Sequence, residues 1–301
     1  EKTDDFFSEN SQDALLILGD TNSSLASIAA KRKKIPIFHM EAGNRSFDQR
    51  VPEEINRKIV DHISDINLPY TKIARDYLIS EGIKPEFVIK TGSPLDEVLN
   101  FYKNKIDNSK ALAKLDLKKN KYFVVSSHRE ENVDTANFFK LSNILNNLAD
   151  YSGLKILFSA HPRTKKIISE NQIKFHKNII LHKPFSFTDY VHLQINAKTV
   201  LSDSGSITEE SSLLNFPALN IREAHERPEG FEEASVMMTG LDENKIFVGL
   251  EILEEQKRGK ERTLKIVEDY FSPNLSDKII RIILSYVNYV NSNVWNKVDE
   301  K

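Results

Sequence analysis

The sequence predicts an α/β protein built from two Rossmann-like, doubly wound domains facing a cleft. Three observations predict it. Short, nearly all-apolar segments recur along the chain and alternate with longer amphipathic ones, as expected for parallel strands buried on both faces between covering helices. The polar motifs fall repeatedly at the carboxyl ends of those apolar segments, where ligands bind in such sheets. A lysine-rich interval with little periodicity, residues 104–120, interrupts the alternation and divides the chain of 301 residues.

The elements follow in order. Ala14-Leu15-Leu16-Ile17-Leu18 is a short buried strand stopped by Gly19-Asp20-Thr21, and residues 24–32 form a helix. Ile35-Pro36-Ile37-Phe38-His39 is the next strand, ending at Met40-Glu41-Ala42-Gly43. After a polar loop, Pro52-Glu53-Glu54 opens a helix to about His62: proline suits the first turn and acids favour the amino end of the helix dipole. Residues 65–69 read as a strand, 71–81 as a helix and 87–90 as a strand, and Gly92-Ser93-Pro94 turns into another helix. Beyond the lysine-rich interval, residues 122–126 are a strand ending at His128-Arg129-Glu130-Glu131-Asn132, with a helix over 135–151. Residues 155–159 are a strand ending at His161-Pro162-Arg163, with a helix after it, and 178–181 a strand leading to Lys183-Pro184-Phe185. Residues 187–196 are a helix, Thr199-Val200-Leu201 a strand, and 218–221 a strand ending in Arg222 to Glu229. The tail, 242–299, reads as mostly helical. The expected division is a partial first domain over 1–104, a second Rossmann-like domain over 105–275, and a C-terminal helix over 276–301 packing back on the first domain. The first half shows only about four strands where a doubly wound domain usually has five or six. The chain also opens in a polar segment that caps nothing, so part of the first domain is expected to lie outside this sequence.

Bulk properties exclude several classes. With 40% hydrophobic and 29% charged residues the chain reads as an ordinary globular protein. A net charge of −2 gives no reason to expect nucleic acid or an anionic membrane as partner. The absence of cysteine excludes disulfides and thiolate metal sites and fits a reducing compartment, with the cytoplasm as the default. No apolar run of about 18 residues spans a membrane. None of the eight histidines has ligand spacing with another histidine or acid on one helix, so no metal site is expected.

The stretch Ser202-Asp203-Ser204-Gly205-Ser206-Ile207-Thr208-Glu209-Glu210 reads as a strand end, a tight turn and the first turn of a helix. Free backbone N–H groups at a helix start favour phosphate. Small residues let the backbone approach a ligand, and Glu209 or Glu210 can accept hydrogen bonds from a sugar diol. The stretch is therefore expected to grip a nucleotide diphosphate. Asp20 and Glu41 end successive strands and should project into one cleft, while Glu53 and Arg57, four apart on a helix, can pair. Singly these acids read as loop carboxylates and a surface ion pair. Clustered at strand ends, they can divide general acid and base work. His128 with Arg129 reads either as a cation facing a leaving phosphate or as a satisfied loop histidine. His161 reads rather as structural. Tyr190 and Phe187 read as core as readily as a platform for a base. Arg227 reads as a partner of phosphate or of Glu210, or as a solvated charge.

These strings resemble the non-hydrolysing UDP-N-acetylhexosamine 2-epimerases, which have the two-domain GT-B fold. The resemblance rests on Gly19-Asp20-Thr21, His39-Met40-Glu41-Ala42-Gly43-Asn44-Arg45, Pro52-Glu53-Glu54-Ile55-Asn56-Arg57, His128 to Asn132, His161-Pro162, Ser202 to Glu210 and Glu226-Arg227-Pro228-Glu229, in family order across nearly the whole chain. It implies catalytic acids at Asp20, Glu41 and Glu53, accompanied by Arg57, with His128 near the diphosphate and Arg129 binding substrate. It implies a UDP site at Ser204, Gly205, Ser206 and Glu210, the last on the ribose. Tyr190 matches the aromatic against uracil, Phe185 a neighbouring contact and Arg227 a diphosphate-side arginine. The implied reaction needs no cofactor: UDP is eliminated to a 2-acetamidoglycal and re-added with the proton delivered to the other face of C2. A homodimer and a role in cell-surface polysaccharide precursor synthesis are implied with it. Three strings depart from the family. The Gly-Thr-Arg-Pro-Glu loop is absent, Asn44 replaces leucine, and Glu130 replaces the second arginine of His-Arg-Arg-Glu-Asn. The last two resemble the branch making UDP-N-acetyl-L-fucosamine rather than the UDP-N-acetylglucosamine/mannosamine branch. A GT-B glycosyltransferase and an inactive UDP-binding fragment are the competing readings.

Overall fold

The computed structural model describes residues 2–49, 51–127, 135–160, 162–222 and 227–297. The chain divides into two compact units, Glu1–Glu97 with Glu268–Lys301, and Val98–Val267. The described helices and strands, in chain order, are α1 (Lys2–Glu9), β1 (Leu15–Leu18), α2 (Ala26–Arg32), β2 (Ile37–Met40), α3 (Pro52–Ile63), β3 (Ile66–Leu68) and α4 (Lys72–Ser80). Then come α5 (Leu95–Asp107), α6 (Ala111–Lys114), β4 (Tyr122–Ser126), α7 (Thr135–Ser152), β5 (Lys155–Ser159), α8 (Pro162–Glu170), β6 (Ile179–His182) and α9 (Phe187–Asn196). The last are β7 (Thr199–Ser202), α10 (Ser206–Leu214), β8 (Ala218–Asn220), α11 (Pro228–Glu232), β9 (Met237–Met238), α12 (Glu243–Glu254) and α13 (Leu275–Asn293).

In the second unit six parallel strands run in the order β6-β5-β4-β7-β8-β9. Strand side chains alternate between faces, and here both faces are apolar. Phe123, Val125, Ile156, Phe158, Leu201 and Leu219 enter one core with α7 and α12. Tyr122, Val124, Leu157, Val200 and Ala218 enter the other with Leu193 of α9 and Ile207 of α10. The strand order reverses direction between β4 and β7. A doubly wound sheet places its ligand crevice at that reversal, outside the carboxyl ends of the strands. Here those ends are Ser126-Ser127 and Ser202-Asp203.

The first unit holds three parallel strands in the order β1-β2-β3. Phe38, Met40, Ile66 and Leu68 pack on Leu275, Ile279 and Val290 of α13, so the last long helix covers one face of this sheet. Ile17, Ile37 and Val60 form a second cluster with Ala30 of α2, and Phe7 of α1 packs against it. Leu16 and Leu18, on the edge strand β1, stay 45% and 59% exposed.

Several elements differ from the sequence reading. Residues 87–90 are not a strand: Pro85 sets a 3-10 turn over Pro85–Phe87, and only Val88 bridges β3, at Asn67. Residues 24–32 begin as a 3-10 turn, Asn22–Leu25, before α2. The lysine-rich interval holds the end of α5 and all of α6. The stretch 255–274 is mostly non-helical, with Gly259 at positive φ and a 3-10 turn at Glu268–Tyr270. The polar opening segment forms α1, and the two-residue β9 was too short to read.

The turn after β2 depends on glycine. Gly43 has φ +80, and a Cβ there would lie 2.3 Å from the Ala74 carbonyl oxygen and 2.8 Å from Leu78 Cγ. Gly82 has φ +94 but nothing within 4 Å of an added Cβ. Gly82→Ala should therefore lose about 1 kcal/mol from backbone strain alone. Gly43→Ala adds a backbone clash and should lose roughly 2–4 kcal/mol. Urea unfolding of the two variants checks the difference.

Candidate active site

In the first unit the candidate site is built from the ends of β1 and β2 and one face of α3. Pro52 starts α3 after Val51, whose backbone is extended. The helix then buries Glu54, Asn56, Arg57, Val60 and Asp61. A buried helix face made mostly of polar groups is unusual, because each needs a partner once removed from water.

The partners are present. The Arg57 guanidinium approaches one oxygen of Asp20 side-on, with Nε 2.8 Å from Oδ2 and Nη2 on the same oxygen. Its Nη1 donates to the Asn44 carbonyl and to Glu54 Oε2, each at 3.1 Å. Glu54 also accepts from the Ser46 amide at 2.9 Å. Asn56 Nδ2 donates to the Asp20 carbonyl and to Asn22 Oδ1, both at 3.0 Å, and so fixes the turn carrying Asp20. Glu41 has left-handed backbone, φ 65, which is strained for a side chain of this type and is often found at functional positions. Its carboxylate accepts from Asn44 Nδ2 at 3.3 Å. A Cβ on Gly19 would lie 3.4 Å from Glu41 Oε2, so Glu41 sits beside the residue that precedes Asp20. Asp20, Glu41 and Arg57 are thus brought together. The expected Glu53–Arg57 pair is not formed. Glu53 is exposed, and Arg57 instead takes Glu54, three residues away on the buried side, together with Asp20.

Beneath this cluster lies a second, in which His39, Arg45 and Asp61 are buried. His39 Nδ1 is 2.8 Å from Asp61 Oδ1, and Arg45 Nη1 is 2.7 Å from Asp61 Oδ2. Arg45 also bonds Glu81 through Nε at 2.7 Å and Nη2 at 2.6 Å. Burial opposes the Arg45 charge, but Glu81 and Asp61 outweigh it and hold its pKa above the ordinary value. His39 and Arg45 stand in a quoted motif without a role of their own, and Asp61 and Glu81 carry no reading from the sequence. The available signal was polar residues recurring on the inner face of α3.

In the second unit the candidate site lies at the β4/β7 reversal. Asp203 N donates to the Ser126 carbonyl at 3.2 Å, and Ser127 Oγ donates to Asp203 Oδ2 at 3.0 Å. Gly205 caps α10 without a side-chain hydrogen bond. Ser204 and Ser206 hydroxyls are 2.9 Å apart, and Ser206 Oγ donates to Glu210 Oε1 at 3.0 Å. Gln194 Nε2 donates to Glu210 Oε2 at 2.5 Å. A turn with two hydroxyls, a helix start and one oriented carboxylate suits an anion next to a diol. Burial raises the Glu210 carboxyl pKa; Gln194 and Ser206 oppose the shift, Glu209 adds to it and Arg227 opposes it. Tyr190 and Phe185 pack against the core on the α9 side of the sheet. Burial, then the Glu210 charge, pushes the Tyr190 phenol upward, while Ser126 and Gln194 oppose the shift. The Phe185 ring stacks on His182 with centroids 4.0 Å apart. Arg227 Nη1 lies 2.5 Å from Glu209 Oε1, so its carboxylate partner is Glu209 rather than the anticipated Glu210. His128, Arg129 and His161 lie outside the described residues. Among the described residues no group of three or more His, Asp or Glu is placed to hold a metal, and no helix is long and apolar enough to cross a membrane.

Comparison with known proteins places this geometry. The family model described as UDP-N-acetylglucosamine 2-epimerase matches residues 1–284. The chain is 35% identical over 257 residues to the UDP-N-acetylglucosamine 2-epimerase of Methanocaldococcus jannaschii, covering 82% of this chain and 70% of that one. The solved UDP-N-acetylglucosamine 2-epimerase of Rickettsia bellii superposes with a TM-score of 0.91 at 49% identity, covering 98% of this chain and 80% of the other. The M. jannaschii enzyme solved in complex with UDP-GlcNAc and UDP gives 0.85 at 30% identity, covering 95% and 79%. The two parallel-sheet units are those of the GT-B fold.

The Glu210 shift has a pH consequence. A carboxyl whose native pKa is raised binds its proton more tightly folded than unfolded. Its contribution to stability is present below the unfolded value and lost as pH rises through the native one. Glu210→Gln should therefore raise Tm relative to wild type more at pH 8 than at pH 4.5. Thermal melts across that range check the sign.

Proposed function

Since the chain belongs to the UDP-N-acetylglucosamine 2-epimerase family of isomerases, we propose that it inverts C2 of a UDP-N-acetylhexosamine by eliminating and re-adding UDP. The observation that carries this reading is the placement of Asp20 and Glu41 at the ends of neighbouring parallel strands, with Asp20 on an arginine that Glu54 also neutralises.

The C2 proton of such a sugar is not next to a carbonyl and is not acidic. When the C1–O bond to the diphosphate breaks, positive character at C1 acidifies it. A base takes the proton, C1 and C2 become doubly bonded, and UDP leaves as the dianionic diphosphate end. Re-addition reforms the C1–O bond while an acid delivers a proton to the opposite face of C2. The reaction needs acid/base groups on both faces, which is the use for Asp20, Glu41 and Glu53. It also needs donors for the departing diphosphate. Ser204, Ser206 and the backbone N–H groups at the start of α10 suit that role, with Arg227, Arg129 and His128 assigned to it by resemblance. Glu210 accepts from the ribose diol, and Tyr190 and Phe185 border the base.

UDP-GlcNAc, with UDP-ManNAc as its epimer, is the proposed substrate pair, because the M. jannaschii relative was solved with UDP-GlcNAc. Asn44 favours a second substrate, the 2-epimer of UDP-N-acetyl-L-fucosamine. It stands where leucine is usual, and its amide donates to Glu41. The reading carries with it a cytoplasmic homodimer supplying activated sugars for cell-surface polysaccharide.

Incubation with UDP-GlcNAc and no acceptor, followed by proton NMR, tests the function. The expected result is a second UDP-hexosamine at equilibrium. A glycosyltransferase would leave the sugar unchanged, and a UDP-binding fragment would bind without turnover. Asp20→Asn and Glu41→Gln should each lower kcat by roughly 10²–10⁴ with UDP affinity little changed. Equal loss of both would assign these acids a structural role.

A further inference from the structure

His39 is fully buried at the end of β2, with acceptors at both ring nitrogens. Nδ1 faces Asp61 Oδ1 at 2.8 Å, and Nε2 faces the Gly19 carbonyl at 3.0 Å. A carbonyl only accepts, so Nε2 carries a hydrogen. Between Nδ1 and the Asp61 carboxyl another hydrogen is needed, whichever group is written as its owner. Asp61 in turn accepts from the Gly43 amide at 3.3 and 3.2 Å and from Arg45 at 2.7 Å. Arg45 is anchored on Glu81 of the segment after α4.

A buried ionic network of this kind is weak evidence for stability, because desolvation offsets the attraction and apolar side chains fill such a space as well. Its endpoints are informative instead. One is the Gly19 carbonyl, on the peptide that leads into Asp20. Another is the Gly43 amide, two residues after Glu41. The third is Asp61 itself, one turn along α3 from Arg57, which binds Asp20. Apolar packing fixes volumes, but directional bonds fix the orientation of a peptide plane. We propose that His39, held by Asp61, is a positioning residue that orients the Gly19–Asp20 peptide and thereby sets the Asp20 carboxylate against Arg57. The proposal rests on the assignment of Asp20 as an active-site acid.

Three variants separate positioning from filling. His39→Gln keeps a donor at the Nε2 place for the Gly19 carbonyl. His39→Asn keeps only a donor toward Asp61, and His39→Leu keeps neither. The expected result is that His39→Asn and His39→Leu lose about 100-fold in kcat with KM little changed, while His39→Gln recovers to within about tenfold of wild type, the range that small misplacements of catalytic groups produce. In crystal structures, Asp20 should be displaced from Arg57 in His39→Asn but not in His39→Gln. Equal loss in all three variants, following their Tm, overturns the proposal, as does a His39→Asn enzyme with wild-type kcat. If wild type itself shows no epimerisation, the functional reading fails. The Asp20–Arg57 geometry in the two crystal structures then decides the positioning role, and an unmoved Asp20 in His39→Asn overturns it.

Discussion

A guanidinium taken out of water needs acceptors around it, and the first unit supplies those of Arg57 from three separate pieces of chain. Asp20 comes from the end of β1, the Asn44 carbonyl from the turn after β2, and Glu54 from the preceding turn of α3. Removing one partner from such a buried pair typically costs about 3–5 kcal/mol, because the other charge is left uncompensated. The same bonds hold the two acids of the candidate site on neighbouring strand ends. The polar inner face of α3 is thus a requirement of the site rather than a cost to the core, since Val60 alone joins the apolar cluster between α2 and β2.

The second unit solves a different problem. Its sheet is buried on both faces, and its strand order reverses between β4 and β7. The carboxyl ends at that reversal, where such a sheet places its ligand crevice, are Ser126-Ser127 and Ser202-Asp203. The side chains there are mostly small and buried; Gly205 at the start of α10 brings no capping side chain, and Ser204 Oγ accepts from the Ser206 amide. Gln194 and Ser206 draw Glu210 into place, and burial raises its pKa. On the proposed reading, binding and acid/base work are built on separate units.

The sequence made much of this legible, for a physical reason. Parallel strands buried on both faces are short and wholly apolar, and they end where polar residues begin, so Leu15–Leu18, Tyr122–Ser126 and Thr199–Ser202 could be read directly. The Ser202 to Glu210 turn, Asp20 and Glu41 stand at such ends and read as candidates for that reason. Val88 was misread because an apolar run after a proline looks like a strand even when only one residue bridges. Glu53 reads as the partner of Arg57 at i,i+4, but Glu54 at i,i+3 takes that place; both spacings are sound on a helix, and only burial distinguishes them. His39, Asp61 and Gln194 receive no role in the sequence reading because their contacts join distant segments. The inner, polar stripe of α3 was the one local hint.

The central claim is that C2 is inverted through loss and return of UDP. The direct measurement is turnover of UDP-GlcNAc by the full chain in deuterated water, followed by NMR at C2. The account predicts deuterium at C2 in both the product and the recovered substrate, with free UDP formed during turnover. An epimer that keeps its original C2 proton would contradict it.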